Sequence, residues 1–226
     1  MLVTLKQVLE PARAGRYCVP GFNCTEDVMV RTLLETAETL RSPIVMMAIE
    51  SDLVGNGWTY LVGLIRLAAE SHDIPVVLHL DHATNLDVIK GAIDHGFSSV
   101  MIDGSVLPFE ENVALTRQVV ELASPRGISV EAELGHVGGA NLAETEHAEN
   151  VLTEPDEVVR FVAETGIDAL AVSIGTSHGV YRAEPTLNID RPDPLPCDLF
   201  APIRESLAET IAAKISLCGS AGKADR

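Results

Sequence analysis

In VVLHLDHATN, residues 76–85, a run of valines and leucines is broken at His79 and then gives way to Asp81 and His82. Such a run is a candidate buried strand, where every polar group costs free energy unless something satisfies it. Side-chain alternation puts positions 77, 79 and 81 on one face and 78 and 80 on the other. His79 is therefore expected one layer beneath Asp81, in a supporting hydrogen-bonded role, while Asp81 and His82 stand at the strand's C-terminal end. A carboxylate and an imidazole placed there suit proton transfer beside a bound metal. A single solvated strand end would look the same, so the reading depends on the neighbours.

Five further apolar runs accompany it: YCVPGFN (17–23), IVMMAI (44–49), SVMID (99–103), SVEAEL (129–134) and ALAVSI (169–174). Between them lie amphipathic stretches at 28–40, 61–72, 88–96, 111–123 and 155–166, several closed by glycine as a helix C-terminus would be. Strand followed by helix, repeated, is the mark of βαβ units and a parallel sheet. GFNCTE (21–26) does not match the G-x-G-x-x-G of a dinucleotide-binding sheet. Instead Asn23, Glu50, Asp81, His82, Asp103, Glu133 and the GTSH of 175–178 all fall at or just past strand ends, which in a (β/α)8 TIM barrel converge on one mouth. The expectation is an α/β barrel forming a single domain over 1–226, with six βα units visible and a C-terminal helix at 203–217. A whole barrel takes roughly 250 residues, and no seventh or eighth strand is visible after the proline-rich stretch at 192–202.

A formal charge of −17 disfavours nucleic-acid and anionic-membrane partners, both of which select basic surfaces. The four cysteines, Cys18, Cys24, Cys197 and Cys218, form no C-x-x-C pair and are too sparse for a disulfide framework. With no signal-peptide pattern at the N-terminus, a soluble, cytoplasmic protein is expected.

At the strand ends His82, Asp103, Glu133 and His178 form the metal-compatible set, for zinc or a similar divalent ion with an open position. Of the lysines, Lys6, Lys90, Lys214 and Lys223, none stands at a strand end, which disfavours Schiff-base catalysis. GTSHG (175–179) is a turn whose N–H groups could cradle a phosphate without basic side chains. The long polar link 135–154 has the length of an active-site loop. Its Glu144, Glu146 and Glu149 are candidates for a mobile base as much as for a solvated acidic face, and His136 and His147 are equally open. A metal-dependent hydrolase would share these histidines and carboxylates, but would be expected to carry ligands on the first strand, and YCVPGFN has none.

Taken in order and spacing, HLDHAT, SVMIDGS-LPFEENVA, VEAELGHVGG and AVSIGTSHGVY resemble the metal-dependent, class II ketose-bisphosphate aldolases, from Val19 to about Asp190. The resemblance implies a (β/α)8 barrel, a catalytic zinc with a second divalent or a monovalent cation beside it, and reversible cleavage of a ketose 1,6-bisphosphate of the fructose or tagatose type. The products would be dihydroxyacetone phosphate and an aldehyde phosphate. It implies His82 and His178 as zinc ligands, Asp81 as the acid/base, Asp103 and Glu133 at a second or alternative metal position, and Gly179, Asn23 and Ser51 as substrate contacts. The expected partners are a phosphorylated ketose and further copies of the chain, as a dimer or tetramer. The family's H-G-G-S-G segment on the seventh strand, with its third zinc histidine, and its N-[VI]-x-T-[DE] phosphate loop do not occur here. The tail 198–224 nonetheless resembles the family's C-terminal helix and closing segment. The expectation is an internal gap near 190–194, and a catalytically inactive, aldolase-like binding module is the alternative function.

Overall fold

Thr4 opens the first helix, α1 (Leu5–Gly15), by a reciprocal capping box: Thr4 Oγ1 accepts from the Gln7 N–H, and Gln7 Oε1 accepts from the Thr4 N–H. In a computed structural model that describes residues 1–138, 151–178 and 185–188, this helix precedes five βα repeats and a sixth strand among the described residues. They run β1 (Gly21–Asn23), α2 (Asp27–Thr39), β2 (Ile44–Ile49), α3 (Gly57–Glu70), β3 (Val76–Ala83), α4 (Leu86–His95), β4 (Ser99–Ile102), α5 (Phe109–Ala123), β5 (Ser129–Leu134), α6 (Pro155–Thr165) and β6 (Ala169–Val172). All strand pairs are parallel and the sheet order is β1-β2-β3-β4-β5-β6. Six strands curled in sequence, with helices alternating between them, make a partial TIM barrel, as the spacing of the apolar runs predicts.

The two faces of the sheet carry different layers. Outward residues such as Met46, Leu78, Leu80, Val100, Ile102, Val130 and Ala132 pack with Leu34, Ile65, Ile89, Val119 and Phe161 of the helices in one large apolar core. The inner face begins at the N-terminal end of the strands with a small cluster, Val45 and Val77 against Leu5 and Val8 of α1. Helix α1 thereby plugs the barrel floor, and Lys6 pairs with Asp168 at 3.2 Å beside it. Above this plug the inner face turns polar, through His79, Ser99, Ser129 and Glu131, and the site stands above that.

Several expected boundaries shift for local reasons. The first strand is confined to 21–23 rather than 17–23, because the Tyr17 N–H closes α1 on Ala12 and Pro20 has no N–H to give to a ladder. The third strand continues past Leu80 through Asp81 and His82 to Ala83. Strands β4 and β6 stop at Ile102 and Val172, short of the predicted 103 and 174. The glycine stops hold: Gly96 and Gly166 end α4 and α6 with φ of 83° and 72°. The loop acids Glu144, Glu146 and Glu149, His147, Gly179, the helix at 203–217 and the junction at 190–194 lie outside the described residues. Among the described residues no helix is long and apolar enough to cross a membrane.

Candidate metal centre

The site is made by an irregularity in β3. Leu80 pairs with Val100 and Ala83 with Ile102, so three steps along β3 match two along β4 and one residue is extra. Leu80 and Ala83 both pack outward into the helix-facing core, and Asp81 and His82 share the single inward place between them. His82 takes up the extra length with φ of 48°, a left-handed conformation uncommon for a residue with a side chain. A β-bulge of this kind re-aims side chains. A regular strand would have sent His82 to the opposite face from Asp81.

His82 Nδ1 lies 2.8 Å from Asp103 Oδ2 and 3.7 Å from Glu133 Oε2. Its Nε2 is 3.8 Å from Asp81 Oδ1. Donor atoms of His82, Asp103 and Glu133 lie within 4.8 Å of one another. The His178 ring sits edge-on to His82 with centroids 5.3 Å apart, and the His178 N–H is held by the Gly138 carbonyl at 2.9 Å. Asn23, from β1, donates its Nδ2 to Asp81 Oδ2 at 3.1 Å. Thus the sequence-predicted Asn23, Asp81, His82, Asp103, Glu133 and His178 converge from five strands or strand ends. Ser51 stands exposed on the 3₁₀ turn Glu50–Leu53 that follows β2.

Electrostatics in the cluster favour a positive charge. Burial pulls the His82 imidazole down, but the hydrogen bond to Asp103 and the charges of Asp81, Asp103 and Glu133 outweigh it and push its pKa up to about 9. Burial pulls Asp103 the other way, yet hydrogen bonds from His82 and Ser105 hold its carboxyl down at about 2. Glu133 is raised, first by burial and then by the Asp103 charge, against the Val137 N–H that donates to its Oε1 at 3.0 Å. A pocket that makes an imidazole hold its proton so firmly is one in which a divalent cation can replace that proton, and one imidazole with two carboxylates suits zinc or a similar ion.

Supporting contacts lock the donors. The Ser105 N–H donates to Asp103 Oδ1 at 3.0 Å, and Ser105 Oγ shares a hydrogen bond of 2.9 Å with His136 Nδ1. Asn112, buried on α5, donates to the Glu133 carbonyl at 2.8 Å. His79 lies beneath, buried, with Nδ1 2.8 Å from Ser99 Oγ and Nε2 3.4 Å from Glu131 Oε2. Burial keeps His79 neutral, its pKa lowered to about 4, and burial with the charge of Asp81 raises Glu131 to about 7. With His79 neutral, the 3.4 Å approach of the two is a close polar contact and not an ion pair. Glu131 was not among the residues expected at the site. Its signal is in SVEAEL itself, where alternation places Glu131 directly beneath Glu133 on the inner face.

Comparison with known proteins points to one family. Residues 3–195 match the family model for fructose-bisphosphate aldolase class-II. The chain is 46% identical over 184 residues to a fructose-bisphosphate aldolase of Giardia intestinalis, covering 80% of this chain and 56% of that protein. It is 41% identical over 195 residues to a 6-phospho-5-dehydro-2-deoxy-D-gluconate aldolase of Halalkalibacterium halodurans, covering 84% of this chain and 66% of that one. The chain thus spans less than two thirds of the length of either relative. Among solved structures it is similar to the YdjI aldolase of Escherichia coli, with a TM-score of 0.74 at 33% identity over 84% of this chain and 67% of the other. It is also similar to a fructose-bisphosphate aldolase of Campylobacter jejuni, with a TM-score of 0.69 at 26% identity over 84% and 63%.

Proposed function

The chain belongs to the class II fructose-bisphosphate aldolase family, and on that premise we propose that it serves reversible aldol cleavage of a ketose 1,6-bisphosphate at a zinc centre. The observation that carries the proposal is the bulge of β3, which sets Asp81 beside His82, Asp103 and Glu133, whose donor atoms lie within 4.8 Å of one another. His82, Asp103, Glu133 and His178 are the residues that would hold the metal. A bound zinc ion would supply positive charge to a ketone oxygen as negative charge develops on it. Asp81, not needed as a ligand and held by Asn23, takes and returns the proton of the substrate hydroxyl next to the breaking carbon–carbon bond. Asn23 keeps one carboxylate oxygen of Asp81 occupied, leaving the other to work on the His82 side.

Phosphate binding in a chain of charge −17 calls for backbone N–H groups, and the turn at 175–179 with Gly179 is the proposed place. With this reading go Ser51 as a substrate contact, Glu144 or Glu146 as a mobile base, assembly with further copies of the chain, a cytoplasmic setting, and no nucleic-acid or membrane partner.

The test is zinc stoichiometry together with a coupled assay for dihydroxyacetone phosphate release from fructose and tagatose 1,6-bisphosphates. Asp81→Asn is expected to lower turnover by about 10²- to 10⁴-fold with zinc content unchanged. A chain that takes up no zinc after its addition overturns the metal centre. A chain that binds zinc yet turns over neither sugar overturns the aldol step and leaves a metal-binding, catalytically inert aldolase fold.

A further inference from the structure

Past Ile49, the neighbour of Asp81, strand β2 leaves the sheet for a 3₁₀ turn, Glu50–Leu53. From that point β3 has no backbone ladder on its β2 side, at the very residues where it carries a bulge and a left-handed His82. A side chain replaces the ladder. Glu50 Oε1 accepts the Thr84 N–H at 2.6 Å and the Thr84 hydroxyl at 3.1 Å. On the opposite side the Asp103 N–H donates to the Ala83 carbonyl at 2.8 Å. The bulge is thus pinned on both flanks immediately after His82. Glu50 is itself held in place, because the Ile49 N–H donates to Asp52 Oδ2 at 3.1 Å and Leu53 of the same turn is buried.

We infer that Glu50 is a positioning residue, which by clamping Thr84 holds the β3 bulge in the form that turns Asp81 and His82 together into the barrel mouth. The inference rests on the metal centre proposed above and extends it to a residue that is neither ligand nor reactant. An extra strand residue with positive φ is a conformation that persists only where its surroundings over-determine it. Released from Glu50, β3 can relax toward regular alternation, which carries the His82 ring away from Asp103 and Glu133.

The experiment is titration of the full chain with Co²⁺ in place of zinc, following the visible absorption bands that report coordination geometry. It compares the parent with Glu50→Gln, Glu50→Ala and Glu50→Asp. Glu50→Gln keeps an acceptor oxygen at the same reach and is expected to bind as the parent does. Glu50→Ala and the shorter Glu50→Asp are expected to lose about 10- to 100-fold in affinity, the usual effect of removing a group that orients ligands, and to show altered bands at full loading. A contribution to folding alone would lower the melting temperature and leave affinity and spectrum unchanged well below it. Should Glu50→Ala fail to fold, Glu50→Asp against Glu50→Gln decides. If the alanine or aspartate variant binds with the parent's affinity and spectrum, the clamp is overturned while the metal centre stands. A parent that takes up no cobalt overturns the metal centre and the clamp with it.

Discussion

At the scale of single residues, the site depends on space denied as much as on charges supplied. Gly104 follows Asp103, and a methyl group built on it would overlap Asn112 Oδ1. Asn112 is buried, accepts from Thr116 Oγ1 at 3.2 Å, and donates to the Glu133 carbonyl at 2.8 Å. It has no room to retreat without breaking those bonds. Gly104→Ala is therefore expected to destabilise the chain by about 1–3 kcal/mol, the range for overpacking a tight site, and to weaken zinc binding by displacing both Asp103 and Glu133. Chemical denaturation paired with a zinc titration checks it: wild-type stability and affinity in the variant would show that α5 is free to shift. The residue scale is also where the sequence was most legible. Asp81, His82, Asp103 and Glu133 stand out as polar residues ending apolar runs. His79 stands out as a buried imidazole needing a partner, which Ser99 and Glu131 supply. Glu131 itself is not legible there, because a lone acid inside a strand fits a solvent face equally well, whereas in a barrel the second face is an interior.

Elements differ in how openly they announce themselves. The five helices between strands follow from apolar spacing and glycine stops, but α1 did not stand out, since Pro11 lies inside it and a proline argues against a helix interior. The Thr4–Gln7 capping box was the available signal. The bulge of β3 had no signal in its own residues, because it exists only as a mismatch of register against β4. That mismatch depends on where α4 starts and how the chain returns. Asn85 sets the start: its Oδ1 accepts the Asp87 and Val88 N–H groups, each at 3.1 Å, three residues after His82. Asn85→Ala is expected to cost about 1 kcal/mol, and Asn85→Ser or Asn85→Asp to restore most of it, since each offers an oxygen at the same place. Thermal or urea denaturation of the three variants measures this. An alanine variant as stable as the parent would mean that packing of Ile89, Ala92 and Ile93 alone places α4.

For the molecule as a whole, the division of the sheet into an outer apolar face and an inner polar one decides both fold and site. The outer face was legible in the runs of Val, Ile and Leu, and the helices between those runs bring the six strands into parallel order. The inner face above the α1 plug has, beyond Met47 and Met101, little apolar packing to draw the strands together at the mouth. There β3, β4 and β5 present Asp81, Asp103 and Glu133, carboxylates that repel one another at short range. His82, held protonated by them, offsets part of that repulsion with a single charge. A divalent ion bound by His82, Asp103 and Glu133, with His178 beyond β6, would offset more and tie together the ends of four of the six strands. It follows that a metal bound at the proposed centre should act as a folding ligand for the curl of the sheet. Zinc at about a hundredfold over its dissociation constant is expected to add about 2.7 kcal/mol, which for a chain of this size is a rise in melting temperature of roughly 5–10 °C. A chelator should reverse the rise, and His82→Ala should abolish it while lowering the metal-free melting temperature as well, because the substitution removes the imidazolium that offsets the repulsion among the three carboxylates. Calorimetry with zinc and then with chelator checks this. A parent whose melting temperature ignores zinc at saturating concentration would mean that the outer core alone sets the curl, and that the ligands meet at no gain to the fold.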